Sequence, residues 1–172
     1  AIGKVVAGAL DRGLDGLSLA AVSARDTARA AAALAGFKAP VPVMPLESLW
    51  EAAELVIECA PAEHLRDLAE PALAHGRTLV TLSCGALLDN FDLVELARRH
   101  GGRILVPTGA LLALDAVQPA ALGGGIARVQ MITRKPPAGL AGAPYLVENR
   151  ISVSALGAAK LVFSGTAGEA AR

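Results

Sequence analysis

The sequence predicts an α/β protein: a Rossmann-like, doubly wound parallel sheet, followed by the start of a second, α+β domain. Three observations carry this. Short apolar runs alternate with helix-period segments over the first hundred or so residues, joined by brief connections, as in a parallel sheet covered by helices on both faces. The predicted strands end in small or polar residues, "SARD", "CAP", "SCGA" and "PTGA", and such sheets take ligands beyond the carboxyl ends of their strands. After Pro107 the alternation gives way to a broken helix, longer strand patterns and a Pro/Gly loop. The boundary expected from this change separates residues 1–108, a nucleotide-binding domain, from 109–172, the beginning of a second domain.

The opening stretch "AIGKVVAGALDRG" has the apolar stripe of a helix, with Gly13 as its C-cap. "LSLAAVSARD" follows as a buried strand over Leu17–Val22, and "TARAAAALAG" as a helix stopped by Gly36. "VPVM" reads as a short strand near a sheet edge because Pro42 cannot donate to a ladder. "LESLWEA" is one or two helical turns and "ELVIECA" a strand. "PAEHLRDLAEPALAHG" starts with Pro61, which a first helical turn tolerates, and ends at Gly76. "RTLVTLS", "NFDLVELARRHGG" and "RILVP" add strand, helix and strand. The four strands Leu17–Val22, Leu55–Cys59, Thr78–Leu82 and Ile104–Val106 should be parallel, with Gly3, Cys59, Ser83 and Thr108 on one edge. A gap is expected between the Leu17 and Leu55 strands.

Beyond Pro107, "TGALLALDAVQPAALGGG" suggests a helix interrupted by Pro119 and ended by three glycines. "IARVQMITRKPP" alternates Ala127, Val129, Met131 and Thr133 against polar neighbours, a half-buried strand, and "KLVFS" is a further strand. In "TAGEAAR", Thr166 and Glu169 form a capping box. The opening helix lacks a strand before it and the closing one barely begins, so the chain reads as cut at both ends. Residues 1–172 alone are therefore expected to lack turnover.

Formal net charge is zero, and no basic patch with interleaved aromatics is present, which argues against a nucleic-acid partner. The apolar fraction is 53%, yet no run reaches the roughly 18 residues of a membrane span. Cys59 and Cys84 form neither a disulfide framework nor a metal spacing, which fits a reducing cytoplasm. Both close predicted strands, and a small buried filler is a plainer role for them than a reactive thiol. No metal site is expected.

Candidate binding residues follow from position. If Gly3 is the last glycine of a G-x-G-x-x-G loop, Ala1, Ile2 and Gly3 open the helix that receives a pyrophosphate, and the bare Gly3 permits close helix–strand packing. About 20 residues on, the ribose carboxylate position is held by Ser23, so selection for NAD is not written there. Arg25 could face a 2′-phosphate; equally, Arg25 and Asp26 form a solvated turn. Cys59 and Ala60, Ser83 and Gly85 lie where strands meet the ligand edge. Arg134 and Lys135 are candidates for carboxylate recognition, or a charged strand end. His64 and His100 lie among charges, and His75 suits a helix C-terminus.

The stretches "ELVIECAPAEHL", "LVTLSCGALLD", "GGRILVPTGALLALDAV" and "VQMITRKPPAGLAGAPYL", in this order and spacing, strongly resemble the L-aspartate dehydrogenase family. The resemblance runs from Ala1 to Arg172. It implies oxidation of L-aspartate with NAD or NADP to iminoaspartate, or oxaloacetate and ammonia after hydrolysis, feeding NAD biosynthesis. It implies a homodimer formed through the second domain. It matches Ala1, Ile2 and Gly3 to the end of the family's glycine loop and Ala110 to the alanine of its P-x-G-A motif. Many members have Gly where this chain has Ala113. The family's cofactor-binding asparagine and catalytic histidine map beyond Arg172, so no catalytic residue is assigned within the chain. Two alternatives remain. One is another amino-acid-pathway dehydrogenase, of homoserine dehydrogenase or dihydrodipicolinate reductase type. The other is a noncatalytic nucleotide sensor that keeps the Rossmann domain.

Overall fold

The computed structural model describes residues 2–109 and 114–170, and divides into two compact units, Ala1–Ala110 and Leu111–Arg172. Parallel pairing organises the first. Strands β1 (Leu55–Glu58), β2 (Thr78–Thr81) and β3 (Arg103–Leu105) lie side by side in that order, with Leu55 opposite Thr78 and Thr78 opposite Arg103. Alternate residues of a strand share a face, and here Val56, Glu58, Leu79 and Thr81 are the buried ones.

Helix α4 (Leu65–Ala74) packs into the same core through Leu65, Leu68, Ala69, Ala72 and Leu73, the i, i+3, i+4 spacing of an amphipathic helix. Helix α6 (Asp92–His100) adds Leu93 and Ala97. Leu65, Leu73, Leu79 and Leu93 are fully enclosed; each such side chain contributes about 1.5–3 kcal/mol by leaving water. The unit depends on this small cluster. Helix α4 ends at Gly76 and α6 at Gly101, both with positive φ (70° and 71°), a conformation that costs a residue with a Cβ.

The remaining elements are attached locally. Helix α1 (Ile2–Arg12) is closed by Gly13, and Lys38 ties it down: its amide donates to Asp11 Oδ1 at 2.7 Å and its Nζ to the Arg12 carbonyl at 2.9 Å. Helix α2 (Thr27–Leu34) is capped by Asp26, whose Oδ1 accepts from the Arg29 amide at 2.9 Å. A 3-10 turn over Leu46–Ser48 leads into α3 (Leu49–Ala52), and a second, over Ala62–His64 after Pro61, leads into α4.

The strand expected over Leu17–Val22 does not form. Val22 alone pairs, in parallel with Val43, through bonds from the Val22 amide to the Pro42 carbonyl and from the Met44 amide to the Val22 carbonyl. Leu17 closes a tight turn onto Leu14 and is half exposed. Leu19, Ala21 and Val22 are half-buried without a neighbouring ladder, so the pairing stops at one position, and "VPVM" likewise contributes only Val43. Among the described residues no bridge joins Val22 or Val43 to β1.

The second unit holds α7 (Leu114–Leu122), a 3-10 turn over Pro137–Gly139, α8 (Pro144–Glu148) and α9 (Ala167–Ala170). Pro119 does not interrupt α7; its carbonyl accepts from the Gly123 amide and closes the helix into the glycines. The capping box forms, with the Thr166 amide and hydroxyl donating to Glu169 Oε2. Tyr145 and Phe163 meet edge to face at 5.3 Å. The strands expected at "IARVQMITRKPP" and "KLVFS" are absent among the described residues, and Val129, Met131 and Leu161 are exposed. Alternation specifies two faces but not a partner, and without a ladder the backbone groups stay with water.

Candidate cofactor site

The parallel sense of β1, β2 and β3 brings their carboxyl ends to one edge, and that edge carries Cys59, Ala60, Ser83 and Gly85 of the predicted residues. Cys59 and Ala60 follow β1 and are half-buried. Ser83 and Gly85, also half-buried, lie in the turn and first residues between β2 and helix α5 (Cys84–Asp89). Thr108 follows β3 and is exposed. The first turn of α1 meets the same edge: a Cβ on Gly3 would stand 3.5 Å from Cys59 Cβ. That is an ordinary van der Waals contact, so an alanine would fit there and this approach does not itself require the glycine. Ile2 is exposed beside it.

Glu58 is the residue that sequence reasoning missed. It is 1% exposed, at the last position of β1. Its Oε2 accepts three bonds, from Thr81 Oγ1 at 2.9 Å and from the amides of Leu82 at 3.1 Å and Ser83 at 2.9 Å. Its Oε1 is enclosed and has no hydrogen-bond partner among the described residues. A signal existed: an acid inside the apolar run "LVIEC", which the register places opposite Thr81.

The two cysteines differ. Cys59 is half-buried, and burial first, then the neighbouring Glu58 charge, pushes its thiol above the ordinary value of 9.0. Cys84 is exposed, which corrects the expectation of a buried filler: the helix it begins turns it outward, and its Sγ reaches only the Leu82 carbonyl at 3.7 Å.

Ser23 is half-buried just beyond the Val22 bridge, and Arg25 is exposed with no hydrogen bond or ion pair among the described residues. Asp26 is committed to capping α2, while the side chains of Ser23 and Arg25 have no such partner among the described residues. Arg134 and Lys135 are exposed in the second unit, outside any helix or strand. Ala1 and Ala110 lie outside the described residues.

His75 and His100 precede β2 and β3, at the edge opposite the site. His75 stacks on Trp50 with ring centroids 3.5 Å apart, and its Nδ1 bonds the Pro71 carbonyl. His64 stands 3.4 Å from Asp67 on the surface. Among the described residues no group of His, Cys, Asp and Glu is arranged to hold a metal ion, and no helix is long and apolar enough to cross a membrane.

Residues 1–107 match the family described as homoserine dehydrogenase, NAD binding domain, and residues 115–172 the family described as aspartate dehydrogenase, C-terminal. The chain is 52% identical to an L-aspartate dehydrogenase of Bradyrhizobium diazoefficiens over 99% of its own length and 60% of that protein's. It is 47% identical to L-aspartate dehydrogenase 3 of Bordetella bronchiseptica, over 100% of its length and 63% of the relative's. With an L-aspartate dehydrogenase of Methanocella arvoryzae the identity is 40%, over 97% and 63%. The chain thus spans about three-fifths of the length of the curated relatives it matches. No solved structure matches it.

Proposed function

The chain belongs to the L-aspartate dehydrogenase family, and on that premise we propose that its protein oxidises L-aspartate with NAD or NADP, yielding iminoaspartate and, after hydrolysis, oxaloacetate and ammonia. The observation that carries this reading is the 52% identity, sustained over 171 residues, to a relative of that name. The same reading expects a homodimer in the cytoplasm.

The residues at the carboxyl edge fit a dinucleotide. Cys59, Ala60, Ser83 and Gly85 are small residues at the strand ends, and the start of α1 lies beside Cys59. The amides of Ile2 and Gly3 belong to the first turn of an 11-residue helix, where backbone donors lack intrahelical partners and favour a pyrophosphate. Ser23 and Arg25, which follow the Val22 bridge, are proposed to face the adenosine ribose, Arg25 as the partner of a 2′-phosphate. Ala1 and Ala110 join the cofactor set by resemblance.

The bound dinucleotide would supply the hydride acceptor. The chain's task is to hold the substrate Cα in near-attack contact with it, because orientation is the part of the barrier that binding can remove. Arg134 and Lys135 are proposed to take substrate carboxylates, as cations matched to planar anions. A base must also accept the ammonium proton. None of His64, His75 and His100 is placed for that: two stand at the opposite edge, and His64 is turned to Asp67.

The test is an assay of the protein produced from its complete gene, following reduced nicotinamide with L-aspartate and either cofactor. Turnover with L-aspartate, and much less with L-glutamate, is the expected result. Tight NAD binding without turnover of any amino acid would replace this reading with the nucleotide sensor.

A further inference from the structure

We propose that Glu58 is a positioning residue for the cofactor rim: its buried carboxylate holds the Leu82–Ser83 segment in the shape that meets the dinucleotide. The proposal rests on the cofactor site described above.

The β2 ladder ends at Thr81, so the amides of Leu82 and Ser83 have no strand partner. Successive backbone amides converging on one point form a concavity suited to an anion. Here that anion is internal. Oε2 of Glu58 takes both amides and the Thr81 hydroxyl within 2.9–3.1 Å, and the Ser83 amide also lies 3.2 Å from Thr81 Oγ1. One oxygen therefore clamps the exit from β2, the segment that delivers Ser83 and Gly85 to the edge.

Core stability does not account for the carboxylate. A buried charge is costly unless its acceptor sites are satisfied, and Oε1 lies enclosed with no partner among the described residues. Being enclosed, Oε1 does not touch a ligand either. What remains is the geometric role: Glu58 reaches from the end of one strand to the turn after the next, and so sets how β1 and β2 present their ends together. Hydrogen bonds to a charged group are each worth about tenfold to a hundredfold in an equilibrium, enough for the turn to be held in one shape.

The experiment measures NAD and NADP dissociation constants by titration calorimetry, with hydrogen exchange at Leu82 and Ser83, in the protein and in three variants. Glu58→Leu removes the acceptor. It should expose both amides to fast exchange and weaken both cofactors by about tenfold or more, while the L-aspartate KM at saturating cofactor stays within about twofold. Glu58→Gln keeps an acceptor oxygen and the volume, and should lose clearly less affinity than Glu58→Leu, because its neutral oxygen still accepts, though more weakly. Leu93→Ala, a core cavity on α6, should lower Tm and leave the cofactor constants in place. If Glu58→Leu fails to fold, Glu58→Asp, too short to reach both amides, takes its part with the same expected losses. Unchanged NAD affinity in a variant whose two amides exchange freely would overturn the proposal. So would a loss in Glu58→Gln equal to that in Glu58→Leu, which would mean that the charge acts directly. A wild-type protein that binds NAD but turns over no aspartate would refute the proposed activity and leave the Glu58 result standing.

Discussion

Replacing Gly76 with alanine tests how tightly the amino edge of the sheet is locked. Gly76 ends α4 at φ 70°, and a Cβ there would lie 2.9 Å from the carbonyl oxygen of His100, the last residue of α6. Two costs follow. The left-handed conformation costs an L residue about 1–2 kcal/mol. The collision is with backbone, and that backbone is held: the Gly102 amide bonds the Ala97 carbonyl at 2.9 Å, and the Arg103 amide bonds the Arg77 carbonyl at 3.2 Å. Forcing a methyl into such a contact adds about 1–3 kcal/mol. Before any offset from the unfolded chain, Gly76→Ala should therefore cost about 2–5 kcal/mol.

Gly101 supplies the control. Its φ is 71°, and nothing lies within 4 Å of a Cβ built on it. Gly101→Ala carries the conformational cost alone, about 1–2 kcal/mol. The entropy that alanine removes from the unfolded chain offsets both variants alike, by about 0.4–1 kcal/mol. Urea denaturation of the two, read as midpoint and slope, isolates the steric contribution as their difference, about 1–3 kcal/mol. At about 2–4 °C per kcal/mol for a chain of this size, melting should separate them as well. Cofactor affinity of folded Gly76→Ala should stay unchanged, because this edge is opposite the cofactor rim. Equal losses in the two variants would refute the reasoning, since they would mean that the end of α6 yields freely.

Arg25→Ala should weaken NADP by about 1.5–3 kcal/mol, roughly ten- to a hundredfold, and NAD much less; equal losses in titrations of both cofactors would remove Arg25 from 2′-phosphate recognition. Thiol labelling near neutral pH should modify the exposed Cys84 well before Cys59, whose thiol is raised by burial and by Glu58. Because the folded Cys59 value lies above the unfolded one, its contribution to stability is complete below about pH 9 and is lost as pH rises through the folded value. Cys59→Ala should flatten that alkaline decline in urea midpoints, and an unaltered decline would assign it elsewhere.

What the sequence makes legible here is what local chemistry decides. Leu65, Leu68, Leu73 and their neighbours announce α4 by spacing, Gly76 and Gly101 announce its end and that of α6, and Thr166 with Glu169 announces a cap. The runs at Leu55–Glu58, Thr78–Thr81 and Arg103–Leu105 are strands because helices between them leave room only for parallel return. The misses share a cause. "LSLAAV", "IARVQMITR" and "KLVFS" have strand composition, but a strand exists through a partner, and partners are not written locally. Asp26 could have been assigned from its place just before Thr27, where an N-cap belongs.

The proposed cofactor rim and the proposed substrate contacts differ in the same way. Cys59 and Ser83 reach one edge because parallel topology sends every strand's carboxyl end there, whatever separates them in sequence. Once the alternation of strand and helix is recognised, that part of the site follows. Glu58 needs one step more, the register: only with Glu58 opposite Thr81 does an acid in an apolar run acquire a hydroxyl and two free amides to hold. Arg134 and Lys135 have no such frame. They stand in a stretch without a ladder, so composition names them as cations while topology assigns them no edge. The proposed nucleotide site is thus written in the order of the elements, whereas the proposed choice of amino acid rests on individual side chains that order alone does not place.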